Sequence, residues 1–136
     1  MMRIIAGTAR GAQLAVPSSG TRPTQDRVRE AIFSALQARG ATEDACVLDL
    51  FAGSGAYGFE SLSRGALSLD LVDRAQSAAK VIRKNRASSP VFASANLYVQ
   101  PALTFLGSRL LGANPNPQWE LVFIDPRSEE HTSELQ

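Results

Sequence analysis

The sequence predicts an α/β fold with a parallel sheet, preceded by a small hairpin and a helix. Three observations predict it. Short, nearly continuous apolar runs at 45–51, 67–72, 97–99 and 120–125 read as strands buried on both faces. Stretches with helical apolar spacing lie between them, and such alternation calls for parallel crossovers. Glycines at 53, 55 and 58 stand between the first run and a helix, the context in which a G-x-G-x-x-G turn meets a ligand.

In chain order, residues 3–7 and 13–16 are short apolar runs around a Gly- and Thr-containing loop and predict the hairpin. Thr24 is the expected cap of the first helix, with Asp26 in its first turn, where a carboxylate suits the dipole. Val28, Ala31, Ile32, Ala35 and Leu36 recur at helical spacing and predict its buried face, and Gly40 closes it. After the strand at 45–51 and the glycine turn, a short helix runs through Phe59 and Leu62 to Gly65. The strand at 67–72 leads to a helix at 75–86, with Ala78, Ala79 and Ile82 inward and Arg83, Lys84 and Arg86 near its C-terminus. A weaker strand at 97–99 follows. Pro101 then opens a helix carrying Leu103, Leu106 and Leu110. The loop at 114–117 precedes the last strand, at 120–125.

At 136 residues the chain holds one domain at most. Its 44% hydrophobic and 20% charged residues match the globular norm. No apolar run approaches the roughly 18 residues of a membrane span, so no membrane association is expected. One cysteine, Cys46, and one histidine, His131, exclude an internal disulfide, a Cys/His zinc site and a histidine-based triad, and no metal is expected. A single cysteine also fits a reducing cytoplasm. Residues 1–41 carry six arginines against Asp26 and Glu30, a bias suited to phosphate contacts.

Asp49 lies near the end of the first core strand, beside the glycine turn. A dinucleotide pyrophosphate seated at the following helix N-terminus would be repelled by it. S-adenosylmethionine has no phosphate and carries an ammonium and a sulfonium, so a carboxylate there favours it. Asp73 ends the second strand at the spacing of the acidic residue that takes a ribose diol.

Four segments carry a family resemblance: Met2-Arg-Ile-Ile-Ala-Gly-Thr-Ala-Arg-Gly11, Arg22-Pro-Thr-Gln-Asp-Arg-Val-Arg-Glu-Ala31, Leu48-Asp-Leu-Phe-Ala-Gly-Ser-Gly-Ala56 and Phe123-Ile-Asp-Pro126. Together they resemble the bacterial 16S ribosomal RNA guanine-N2 methyltransferases, in order and spacing from Met2 to Pro126. The resemblance implies a class I methyltransferase fold, Rossmann-like, binding S-adenosyl-L-methionine at the carboxyl ends of its strands. It implies that Asp49, Phe51, Gly53 and Gly55 line the cofactor, that Asp73 holds its ribose, and that Gln100 stands toward the adenine, where the family usually has an acid. Asp125 and Pro126 become the first half of an Asp-Pro-Pro-Tyr motif that orients the target amine, beside an aromatic that stacks on the flipped base. Arg10, Arg22, Arg27 and Arg29 become candidates for RNA contact. The implied partner is 16S ribosomal RNA or a small-subunit assembly, met by a cytoplasmic monomer.

Residues 127–136 depart from the family, with Arg127 where a proline should stand. They read as the in-frame translation of a sequencing-library adapter and are expected to be a non-native tail. Residues 1–126 are then the N-terminal part of one methyltransferase domain, lacking C-terminal strands and expected to be inactive. Two alternatives stay open: an adenine-N6 methyltransferase of DNA or RNA, and a non-catalytic nucleotide-binding module.

Overall fold

The computed structural model describes residues 2–16, 23–111 and 118–126. Strands β1 (Met2–Arg3) and β2 (Gln13–Leu14) pair antiparallel, Met2 opposite Leu14. The pairing is shorter than the apolar runs predict. Beyond it the chain is held by Gly11 N–H donating to the Ile4 carbonyl and Ile4 N–H to that of Ala12, both at 2.9 Å. Met2, Ile4 and Leu14 are buried in the main core.

Helix α1 (Pro23–Ala38) begins at a proline, whose missing N–H costs nothing in a first turn. The sheet follows: β3 (Cys46–Leu50), β4 (Ser68–Val72), β5 (Ala95–Tyr98) and β6 (Leu121–Ile124), all parallel, in the order β5-β4-β3-β6. Helices α2 (Ala56–Ser63), α3 (Gln76–Arg86) and α4 (Ala102–Leu110) are the crossovers. A parallel α/β sheet is what the alternation predicts. The chain steps outward from β3 to β4 and β5, then returns to place β6 on the other side of β3. That reversal opens a crevice at the carboxyl ends of β3 and β6, the usual ligand position in open α/β sheets.

Both faces of the central strands β3 and β4 are covered, which explains their apolar runs. On one face Val47, Leu69, Leu71 and Phe123 pack with Phe33, Phe59, Ile82 and Phe92. On the other, Leu48, Leu50 and Val72 meet Ala102 and Phe105 of α4. Ala78, Ala79 and Ile82 point inward from α3 as their spacing predicts.

Three expectations need correction. The buried face of α1 is not Val28, Ala31, Ile32 and Ala35, which are exposed; Arg29 and Phe33 are buried and Leu36 is half-buried. Phe33 decides the rotation. Its ring lies 5.9 Å from that of Tyr57 and 5.5 Å from that of Phe123, and the Arg64 guanidinium covers it at 5.1 Å. On α4, Ala102 and Phe105 face the sheet, while Leu103 is exposed. The third core strand spans Ala95–Tyr98, earlier than expected, after a 3₁₀ turn at Pro90–Ser94 that seats Phe92 against Phe59 with ring centroids 4.7 Å apart. Arg22, the Thr24 side chain, the loop at 114–117 and the tail at 127–136 lie outside the described residues.

Candidate active site

Past Leu50 the chain turns through left-handed conformations at Phe51 (φ 59°), Gly53 (φ 60°) and Gly55 (φ 82°). For Phe51, a residue with a Cβ, this costs about 1–2 kcal/mol. The turn is pinned to the neighbouring strand: Ala52 N–H donates to the Val72 carbonyl at 3.0 Å, and Gly53 N–H to Asp73 Oδ2 at 2.9 Å. At Gly55 a Cβ would stand 2.6 Å from the ring of buried Phe59. Gly55→Ala should therefore lose about 2–3 kcal/mol through backbone strain and overpacking together, read as a lower urea midpoint. At Gly58 close approach rather than conformation matters, since a Cβ there would meet Leu69 at 2.7 Å.

The strand register collects the acidic groups. Leu50 pairs with Val72 on one side and Ile124 on the other, so Asp73 and Asp125 flank the turn that begins at Phe51. Asp49, one residue back, is buried and accepts from Gly58 N–H, in the first turn of α2, at 3.0 Å. Burial pushes its carboxyl up to about 8 from an ordinary 3.8; that hydrogen bond opposes the shift, and Asp125 and Asp73 add to it. Asp73 is also buried, with Oδ1 accepting from Ala75 N–H at 2.9 Å while Oδ2 holds Gly53. Both aspartates thus brace the glycine turn as well as lining it. Asp125 is exposed and Pro126 half-buried. Tyr57 packs on Phe123 with ring centroids 5.3 Å apart, and burial raises its phenol above the usual value, keeping it protonated.

The structure therefore brings together Asp49, Phe51, Gly53, Gly55, Asp73, Asp125 and Pro126. Gln100 follows β5 at the same edge, half-buried. Of the arginines expected to face RNA, Arg10 and Arg27 are exposed, but Arg29 is 2% exposed and presents no surface to a macromolecule. It turned inward with Phe33, one helical turn later on the same face. Among the described residues, no group of three or more His, Cys, Asp or Glu is placed to hold a metal ion.

Sequence reasoning missed the groups that fasten the N-terminal segment to this site. Fully buried Glu60 accepts from Ile5 N–H at 2.9 Å, Ala6 N–H at 3.1 Å and Arg64 Nε at 2.7 Å. Ser63 Oγ donates to the Ala6 carbonyl at 2.6 Å and accepts from Ala9 N–H at 2.9 Å. Asn85 clamps Ala15 through both its N–H, at 2.7 Å, and its carbonyl, at 2.9 Å, and donates to the Ser54 carbonyl in the glycine turn at 2.9 Å. The available signal was a Glu/Arg pair four residues apart on a short helix otherwise rich in apolar and small residues.

The family model described as "Conserved hypothetical protein 95" matches residues 2–134. Ribosomal RNA small subunit methyltransferase D of Escherichia coli strain K12 is 40% identical over 126 residues, covering 92% of this chain and 59% of that protein. The protein of the same name from Haemophilus influenzae is 38% identical over 127 residues, covering 92% of this chain and 63% of its own length. The chain thus spans about three fifths of the curated relatives it matches. Among solved structures, a methyltransferase from Escherichia coli superposes with a TM-score of 0.75 at 37% identity, covering 98% of this chain and 72% of that one. The parallel sheet, its strand order and these neighbours make the fold that of the class I methyltransferases, and the chain belongs to the Conserved hypothetical protein 95 family.

Proposed function

We propose that this site binds S-adenosylmethionine and serves methyl transfer to the exocyclic N2 amine of a guanine in 16S ribosomal RNA, free or in a small-subunit assembly. The observation that carries the reading is the pair of buried carboxylates, Asp49 and Asp73, at adjacent strand ends against the glycine turn. Such a site welcomes a ribose diol at Asp73 and an ammonium that draws Asp49 into its ionised form. Relatives named as small-subunit ribosomal RNA methyltransferases support the substrate class.

The cofactor supplies a methyl group already activated on a sulfonium. What remains for the chain is alignment. Asp49 would take the ammonium, Asp73, with a lone pair left on each oxygen, would hold the ribose, and Gln100 would face the adenine. The lone pair of guanine N2 is delocalised into the ring. The Asp125 carboxylate and the Pro126 carbonyl, accepting its two hydrogens, would turn that lone pair toward the methyl. Arg10 and Arg27, both exposed, would meet RNA phosphates, whose contacts fix register without reading sequence.

Among the described residues β6 pairs only with β3, and Val122 and Ile124 are exposed on the face where their register partners Leu48 and Leu50 are buried. An open apolar edge of this kind calls for a further strand, which supports residues 1–126 as the N-terminal part of one domain. The 136-residue chain should bind the cofactor without transferring its methyl group. For a chain continued beyond Pro126 to its relatives' length, incubation with small subunits and methyl-labelled cofactor should place the label in N2-methylguanosine after digestion. Label in N6-methyladenosine would overturn the choice of base, and cofactor binding without transfer in that longer chain would leave only a binding module.

A further inference from the structure

Resting on that reading of the cofactor, we infer that Arg29 receives the carboxylate at the cofactor's methionine end. Its guanidinium is buried, yet only Nη2 has partners: the Arg3 carbonyl at 2.7 Å and, more distantly, Asp26 Oδ1 at 3.6 Å. Nε and Nη1 are buried without a hydrogen-bond partner among the described residues. Buried guanidinium donors left unmet are costly, and each calls for an oxygen acceptor.

Position and charge say which oxygen. Arg29 lies one turn before Phe33, whose ring touches Tyr57 in the first turn of α2 and Phe123 two residues before Asp125. Arg29 thus shares a helix face with Phe33 and lies within electrostatic reach of Tyr57, which packs on Phe123 of β6. The Tyr57 phenol feels Asp125, Arg29 and Asp49 together. The acidic groups gathered here are Asp73, Asp125 and Asp49, the last ionised once an ammonium is bound. They suit an ammonium and a ribose, but they would repel the carboxylate that the same ligand carries. A zwitterion needs one cation in the site. Arg64, the other arginine buried among the described residues, is already held by Glu60 and Gln37. An RNA phosphate fits less well, because donors this deeply buried are closed to a surface backbone.

The test compares S-adenosylmethionine with its decarboxylated form, which lacks only the carboxylate, by calorimetry on the 136-residue chain and on Arg29→Gln. In the parent, the decarboxylated ligand should bind roughly tenfold or more weakly; in Arg29→Gln, the two should bind alike. Equal affinities in the parent, or an equal loss of both ligands in the variant, would overturn the assignment, the second outcome marking a purely structural arginine. Should the variant not fold, the ¹⁵Nε resonance of Arg29 in the parent gives the same answer: it should move with S-adenosylmethionine and stay fixed with the decarboxylated ligand. Movement with RNA alone would place a phosphate there and overturn the carboxylate. If neither ligand binds, the cofactor reading itself fails, and this inference with it.

Discussion

Glu60→Ala is expected to lower the unfolding free energy by about 3–5 kcal/mol, because it breaks a buried ion pair from one side only. The carboxylate is fully buried and serves three donors: the amides of Ile5 and Ala6 and Nε of Arg64. Removing it strands two backbone N–H groups and leaves the 8% exposed Arg64 with Gln37 as its side-chain hydrogen-bond acceptor among the described residues, beside the Phe33 ring. The loss should appear in urea denaturation, with the Ile5 and Ala6 amides exchanging hydrogen far faster than those of β3. Glu60→Gln keeps an acceptor oxygen without the charge and should fall between the two. If Glu60→Ala costs under about 1 kcal/mol, the strap between the N-terminal segment and α2 is not what holds that segment.

The second large effect is a gain in stability. Asp49→Asn should stabilise the fold at alkaline pH, because the parent must ionise a buried carboxyl there. The sign follows from the shift. With a folded value of about 8 against an ordinary 3.8, the folded chain holds a proton between those limits that the unfolded chain has released. Stability therefore falls as pH rises from about 4 toward 8 and levels off above. Asparagine removes that term, so the variant's advantage should be near zero at pH 4 and reach the order of several kcal/mol above pH 8. Cofactor binding should move the opposite way. An ammonium beside Asp49 favours its ionised form, so binding releases a proton and the parent's affinity should climb between about pH 5.5 and 7.5. Asp49→Asn should bind more weakly, by about 1.5–3 kcal/mol near neutral pH, and without that slope. Thermal melts and calorimetry across this range check both halves.

Much of the site was legible because its signals are local. The apolar run at Cys46–Leu50, the glycines after it, and aspartates at two strand ends need only strand–turn–helix chemistry to be read. The rest depends on partners far along the chain. Periodicity counts Val28 and Ile32 as core and cannot see that Phe33 finds Tyr57 and Phe123, which swings Arg29 inward. Glu60 looks like a solvated helix residue until the amides of Ile5 and Ala6, more than fifty positions away, are laid against it. Asn85 likewise gains its role from Ala15 and Ser54. Leu103 is apolar and correctly spaced, yet the sheet presents Leu48, Leu50 and Val72 to Ala102 and Phe105 instead.

We propose that selection of S-adenosylmethionine over a dinucleotide rests on buried Asp49, which holds its proton until the cofactor's ammonium draws it off. It is tested most directly by titrating the 136-residue chain with S-adenosylmethionine and with NAD at pH 6.5, in two buffers of different ionisation enthalpy. S-adenosylmethionine should bind with release of about one proton, seen as a difference in apparent heat between the buffers, and NAD should neither bind nor compete. NAD binding with S-adenosylmethionine ignored, or S-adenosylmethionine binding with no proton released, would contradict it.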